Sequence, residues 1–310
     1  MSGLHKIPKI QILLSTYNGE KYLEEQLESI VAQQGVEVTL FIRDDGSTDT
    51  TTHILNEFKT QYPDTRIVFG RNIGWRASFM YLLMNSNPDI DYYAFSDQDD
   101  VWCPNKLKEA IRHISNETVP FLYQSIGMLV DENLNQLTDY KVYEEPQNGN
   151  DAMLNSWAQG CTMVFNNIAR KYAASVVPNP NAAHDMWVYL ICYFFGGIYF
   201  DKSHSYIKYR QHGDNATEGA ADGHCVWNIS FVKKQIEKFI KNDFYSNYGQ
   251  DIYVGFSESL NSDDKIALMD WAYYKRNLRA KIRLICSKTV RKRTLLGTIG
   301  LKSAILLSKF

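Results

Sequence analysis

The sequence predicts an α/β chain: a Rossmann-like, mostly parallel central sheet with helices on both faces, followed by a C-terminal helical extension. Two observations carry that prediction. Through the first hundred residues, short apolar runs of strand length alternate with stretches whose apolar residues recur at helical spacing, the pattern of right-handed crossover units. Several of these apolar runs also end abruptly in a polar turn, and in parallel sheets ligands bind outside the carboxyl ends of the strands. The size suits this fold: 310 residues with 45% hydrophobic and 22% charged side chains make an ordinary globular chain, long enough for one domain with an appendage.

Taken in order, Lys9-Ile10-Gln11-Ile12-Leu13-Leu14 reads as the first strand and Ser15-Thr16-Tyr17-Asn18-Gly19 as the turn that ends it. Leu23, Leu27, Ile30 and Val31 then recur at helical spacing, with Glu24, Glu25 and Glu28 on the other face. A second strand over residues 38–43 runs into Asp44-Asp45-Gly46-Ser47-Thr48-Asp49, and a helix is expected over residues 50–62. A third strand at 66–69, an Asn72-Ile73-Gly74 turn and a helix over 76–84 follow. Tyr92-Tyr93-Ala94-Phe95-Ser96 is a buried strand that stops in Asp97-Gln98-Asp99-Asp100. Later, residues 157–165 read as an apolar strand with a Gln159-Gly160 turn, and residues 188–195 as an aromatic helix preceded by His184-Asp185. Helices are expected over 227–239 and 263–285, the second with Trp271, Tyr274, Leu278, Ile282 and Ile285 on one side.

Composition excludes several classes. The five cysteines are scattered, with no C-x-x-C pair, so neither a disulfide framework nor a zinc finger is expected. The first nine residues lack the apolar core of a secretory signal and no apolar run reaches spanning length, so the expected location is reducing and cytoplasmic. There is no G-x-G-x-x-G and no P-loop, which argues against the usual dinucleotide fold and against a P-loop NTPase.

The chemistry gathers at the strand ends. Three carboxylates within four positions repel unless a cation compensates them, and hard oxygen ligands at alternate positions suit Mg2+ or Mn2+ at Asp97 and Asp99. The competing reading is an acidic turn capping the helix that begins near Pro104. A carboxylate such as Asp45 can accept a hydrogen bond from an imide N–H, and Tyr17 can stack on a base, so a nucleotide fits this inventory. With no glycine-rich loop, its pyrophosphate would need the metal.

The stretches Leu14 to Gly19, Arg43 to Asp49, Asn72-Ile73-Gly74 and Ser96 to Trp102 resemble the successive motifs of inverting family-2 glycosyltransferases with the GT-A fold. The resemblance to bacterial rhamnosyltransferases that build cell-wall or capsular polysaccharide is closer still and covers roughly residues 8–215. It implies a nucleotide-sugar donor held at its base by Ser15, Tyr17 and Asp45, with Asn18 and Asn72 beside them. It also implies Asp97 on the ribose and diphosphate side and Asp99 on the metal. Gln159 would lie under the donor sugar, its alternative being an ordinary sheet residue. Inversion needs one base to deprotonate the acceptor hydroxyl, and Asp185 fills that role, the alternative being a helix cap. His184 stands where the family usually has an acid and is grouped with the substrate-binding residues. In the closing stretch Tyr209 to Asn215, Arg210 would counter the leaving diphosphate and His212 would complete the metal shell.

The tail is electrostatically separate. Residues 271–310 hold eleven Lys or Arg and no Asp or Glu, so the rest of the chain carries −13 against an overall −2. Basic residues beside broken apolar helices suit an anionic membrane surface, with packing on the catalytic part or pairing in a homo-oligomer as the alternative. No nucleic-acid reader motif accompanies them.

The resulting expectation is a GT-A catalytic domain over 1–220, with a nucleotide-sugar half at 8–105 and an acceptor half at 106–220, then a basic helical extension over 221–310. It would transfer L-rhamnose from dTDP-rhamnose to a hydroxyl of a lipid-linked saccharide at the inner face of the cell membrane. The alternatives are a UDP-hexose or UDP-N-acetylhexosamine donor, or a scaffold that binds nucleotide sugars without turnover.

Overall fold

Strands β1 (Lys9–Thr16), β2 (Glu37–Asp44) and β4 (Tyr92–Ser96) bury apolar side chains on both faces, as central parallel strands require, while β3 (Arg66–Phe69) is a more exposed edge strand beside β2. The computed structural model describes residues 7–139, 144–156, 158–212 and 243–308. Nine strands make one sheet in the order β3-β2-β1-β4-β8-β6-β9-β5, with β7 beside β6. Here β5 is Val101–Trp102, β6 Phe121–Val130, β7 Gln136–Asp139, β8 Met163–Asn166 and β9 Gly197–Arg210. β1, β2, β3 and β4 pair in parallel, β8 runs antiparallel to both β4 and β6, and β9 is parallel to β6. Only β8, β5 and β7 therefore run against the common direction, and the mostly parallel sheet expected from the sequence is what forms.

Alternation along β1 assigns the two faces. Ile10, Ile12 and Leu14 belong to the core cluster built with α1 (Leu23–Val31), α2 (Thr51–Gln61) and α4 (Lys106–Ile114). On the other side α3 (Trp75–Met84) brings Phe79 edge-on to Phe95 of β4, which in turn meets Phe165 of β8. Leu23, Leu27 and Ile30 of α1 are fully buried while Glu24 and Glu25 are not, so the helical spacing read from the sequence marks the true inner face.

The chain divides into two compact units. The first comprises residues 1–142, 159–174 and 197–223 and contains the whole sheet. The second comprises 143–158, 175–196 and 224–310, so two segments from before residue 220 group with the C-terminal helices. Its helices are α5 (Gly149–Leu154), α7 (His184–Phe195), α8 (Phe244–Phe256), α9 (Ser262–Tyr273), α10 (Leu278–Cys286) and α11 (Leu295–Leu306), while α6 (Asn167–Ser175) ends the middle segment of the first unit.

Three expected elements differ. The strand over 157–165 starts only at Met163, because Gly160–Thr162 is a 3-10 turn in which Thr162 N donates to Gln159 O at 3.0 Å. The helix expected from 188 starts at His184, since Ala183 is the extended residue before it. The single helix over 263–285 is two: α9 stops at Tyr273, and Asn277 caps α10 by accepting from the N–H groups of Arg279 and Ala280. That break changes the helical phase, so Trp271 and Tyr274 are buried whereas Leu278 and Ile282 are exposed. The helix over 227–239 and Trp157 lie outside the described residues.

Candidate active site

The ends of β1, β2 and β4 are tied together before any ligand is considered. Gln98, the residue between two acids, reaches back to the β1 turn: its Oε1 accepts from Thr16 Oγ1 at 2.6 Å and from Tyr17 N at 2.8 Å, and its Nε2 donates to Tyr17 O at 3.1 Å. Gly19 makes this approach possible, because a Cβ there would stand 2.5 Å from Gln98 Oε1. Asn18 sits at φ 49° in the left-handed region, which Asn tolerates better than most residues. Its N–H donates to Ser47 Oγ at 2.9 Å and its Oδ1 accepts from Thr48 N at 2.8 Å, joining the β1 turn to the β2 turn.

Asp45 is buried and organises the third turn. Its carboxylate pairs with the Arg43 guanidinium and accepts from Ile73 N and Gly74 N at 2.8 Å each. Asn72 Oδ1 accepts from the same Gly74 N at 3.1 Å. Ser15 Oγ lies 2.6 Å from Ser78 Oγ, which also accepts from Arg43 at 3.2 Å. The first unit thus brings Ser15, Tyr17, Asn18, Asp45 and Asn72 onto one interlocked set of loops. Tyr17 stays 45% exposed, leaving its ring open for stacking.

The acidic loop is braced from below. His212 Nε2 and Asp99 Oδ2 are 2.7 Å apart, and the His212 ring lies 5.1 Å from that of Tyr22. Arg210, only 2% exposed, donates from Nε to Asp99 O at 2.8 Å, from Nη1 to Glu132 O and from Nη2 to the Glu25 carboxylate, with Tyr22 stacked on its guanidinium. Its backbone N–H donates to Asp100 Oδ1 at 3.2 Å. These contacts give Arg210 a bracing role, holding the carbonyl of Asp99 and the β6–β7 turn to α1.

Two groups could hold a divalent cation. Asp97, Asp100 and Cys161 bring ligand atoms within 4.8 Å of one another, while Asp99 meets His212. Burial, then the Asp99 and Asp97 carboxylates, push Asp100 well above the usual carboxylate range, and burial pushes the Cys161 thiol up as well. With a thiol as one of its three ligands, that group suits a hard cation less well than an all-oxygen one. Of the expected ligands, Asp99 and His212 meet as one carboxylate and one imidazole, whereas Asp97 is grouped among the described residues with Asp100 and Cys161. Lys106, near Asp100 and Cys161, is fully buried, its Nζ 3.4 Å from the centroid of the Trp102 ring, and desolvation pulls its pKa down to about 7.

Gln159 stands at the turn before β8, its carbonyl accepting from Thr162. His184 and Asp185 belong to the second unit, in the first turn of α7. His184 is buried, and Asp185 Oδ1 accepts from Met186 N at 2.7 Å. Ala183, not Asp185, is the N-cap, so the capping alternative for Asp185 does not describe this helix. A carboxylate at the second helical position is also where the helix dipole favours negative charge.

Sequence reasoning missed Gln98, Arg43, Ser78, Tyr22 and Glu25, all of which hold the loops. Gln98 carried a signal, an uncharged residue between two aspartates, whereas Glu25 looks like any solvent-facing residue of an amphipathic helix.

The family model for glycosyl transferase family 2 matches residues 11–171. Among curated proteins, the dTDP-rhamnosyl transferase RfbG of Shigella flexneri is 31% identical over 232 residues, which are 71% of this chain and 76% of that protein. The putative glycosyltransferase EpsE of Bacillus subtilis is 28% identical over 39% of this chain and 42% of its own length. Among solved structures, residues 1–349 of TarS from S. aureus in complex with UDP superpose with a TM-score of 0.54 at 15% identity, covering 90% of this chain and 75% of that one.

Proposed function

Because the chain belongs to glycosyl transferase family 2 and is a glycosyltransferase of the GT-A fold, we propose that it transfers L-rhamnose from dTDP-rhamnose to a hydroxyl of a lipid-linked saccharide in cell-wall or capsular polysaccharide synthesis. The similarity to the Shigella dTDP-rhamnosyl transferase over most of both chains is the observation that carries the donor. The transfer would take place at the inner face of the membrane, where a lipid-linked acceptor is presented.

The loops of the first unit support the donor half of this reading. Tyr17 offers an exposed ring to the base, and the fixed backbone of the β1, β2 and β3 turns is preorganised, so little ordering entropy remains to be lost on binding. Asp97, Asp99 and His212 would hold Mn2+ or Mg2+, which would supply charge stabilisation for the departing diphosphate. Asp185 is the proposed base: its carboxylate takes the proton of the acceptor hydroxyl, whose oxygen forms the new bond to the anomeric carbon. The bond from that carbon to dTDP breaks, and the nucleotide leaves with the electron pair. Direct displacement inverts the centre, so a β-linked donor gives an α-linked product.

Purified protein offered dTDP-rhamnose, UDP-glucose, UDP-galactose and UDP-N-acetylglucosamine tests the donor: dTDP release alone is expected, and UDP release alone would discard rhamnose. Asp185→Asn should bind donor as the wild type does while kcat falls by about 10²- to 10⁴-fold, the span of general-base catalysis. A variant that transfers at the wild-type rate would remove Asp185 from the mechanism.

A further inference from the structure

We propose that the outward stripe of α11 lies flat in an anionic lipid surface, with the cations of the same segment holding the headgroups. On a helix packed by one face, the opposite face should be polar. Here the inner face is Leu301 and Ile305, both buried, yet Leu295, Leu296, Ile299, Leu306 and Leu307 are 54% to 77% exposed. α10 repeats the pattern, with Ala280 and Leu284 buried and Leu278 and Ile282 exposed one turn apart. Elsewhere among the described residues, exposed large apolar side chains are scattered over different elements. A contiguous apolar stripe marks an interaction surface.

Charge selects the occupant. Residues 271–310 contain no carboxylate side chain, and Arg276, Arg279, Lys288, Arg291 and Arg293 are exposed in that segment. A second copy meeting this stripe symmetrically would press like charges together with no acid in the segment to pair them. Spanning is excluded as well: α11 has 12 residues, about 18 Å of helix against roughly 30 Å of hydrocarbon, and no helix among the described residues is long and apolar enough to cross. A bilayer surface accepts both features at once, apolar side chains at the acyl boundary and Lys or Arg at the phosphates. Two lysines already stand beside the stripe: Lys302 Nζ donates to Ser287 O at 2.9 Å and Lys281 Nζ to Ser308 Oγ at 2.5 Å, pinning α10 and α11 to each other.

The inference extends the lipid-linked acceptor reading but is measured without turnover, so either can fail alone. The full chain would be floated with vesicles of phosphatidylcholine containing phosphatidylglycerol, and with phosphatidylcholine alone, at low and high salt. Expected is binding to the anionic vesicles that weakens with salt, and a loss of about tenfold or more in Leu295→Ser/Leu296→Ser/Ile299→Ser at an unchanged circular-dichroism spectrum. Arg276→Gln/Arg279→Gln/Lys288→Gln should lose the salt-dependent part. Equal partition of wild type and apolar variant would overturn the proposal. So would binding to neutral vesicles as strong as to anionic ones, or a dimer in light scattering that the apolar variant dissociates, which would assign the stripe to a second copy.

Discussion

Arg210 shows how a residue read as a ligand contact can be part of the frame. The family resemblance of the closing stretch implied a partner for the diphosphate, and nothing in the local sequence indicated that Glu25, 185 residues earlier, waits for it. The two functions make different demands. An arginine that binds diphosphate loses donor affinity when replaced, with the fold intact; one that braces Asp99, Glu132 and Glu25 loses stability first. Arg210→Lys keeps the charge but cannot make three divergent contacts, so it should cost about 2–4 kcal/mol of unfolding free energy. Glu25→Gln, on a carboxylate that is half exposed, should cost about 1 kcal/mol or less. Urea denaturation beside donor KM separates the cases, and a large rise in KM for Arg210→Lys at wild-type stability would return the residue to the diphosphate.

At the scale of elements, the strands that end in the acidic motifs and the helices between them were legible because period and punctuation agree there. β1, β2, β3 and β4 all form where apolar runs stop at Ser15, Asp44, Phe69 and Asp97 or close to them. Legibility declined where polarity was mixed: β6 interleaves Gln124, Ser125 and Gly127 among its apolar residues, and it finds its place by pairing with both β8 and β9 rather than by local pattern. The 263–285 stretch failed differently, because its apolar residues follow a continuous helical wheel while Asn277 starts a new one. That cap predicts its own energetics. Asn277→Ala removes an acceptor for two orphan N–H groups, at 3.0 and 3.2 Å, and should lower stability by about 1 kcal/mol, a few degrees in melting temperature at most. No change in a calorimetric scan would mean that packing of Leu284 and Ala280, not the cap, sets where α10 begins.

For the molecule as a whole, the sequence displays its charge asymmetry openly but hides which charges are buried. Lys292 looks like one of the cations of the basic tail, yet burial pulls its pKa down to about 8, and its Nζ donates to Leu154 O and to Tyr245 Oη at 2.6 Å. An unfolded lysine titrates near 10.5. Below pH 8 both states hold the proton and the native state carries the full desolvation cost. Between pH 8 and 10.5 the unfolded chain binds a proton that the native one has released, so this group makes stability rise with pH. The buried thiols of Cys161 and Cys192 work the other way, since their raised pKa values keep the native state protonated while unfolded cysteine ionises near 9. The raw slope therefore mixes opposing terms, and the informative quantity is a difference. The stability of the wild type minus that of Lys292→Met should grow by roughly 2 kcal/mol between pH 7 and 9.5, whatever the absolute value for the variant. Paired denaturation curves at the two pH values measure it; a difference that does not change with pH would mean that Lys292 titrates as an exposed lysine does.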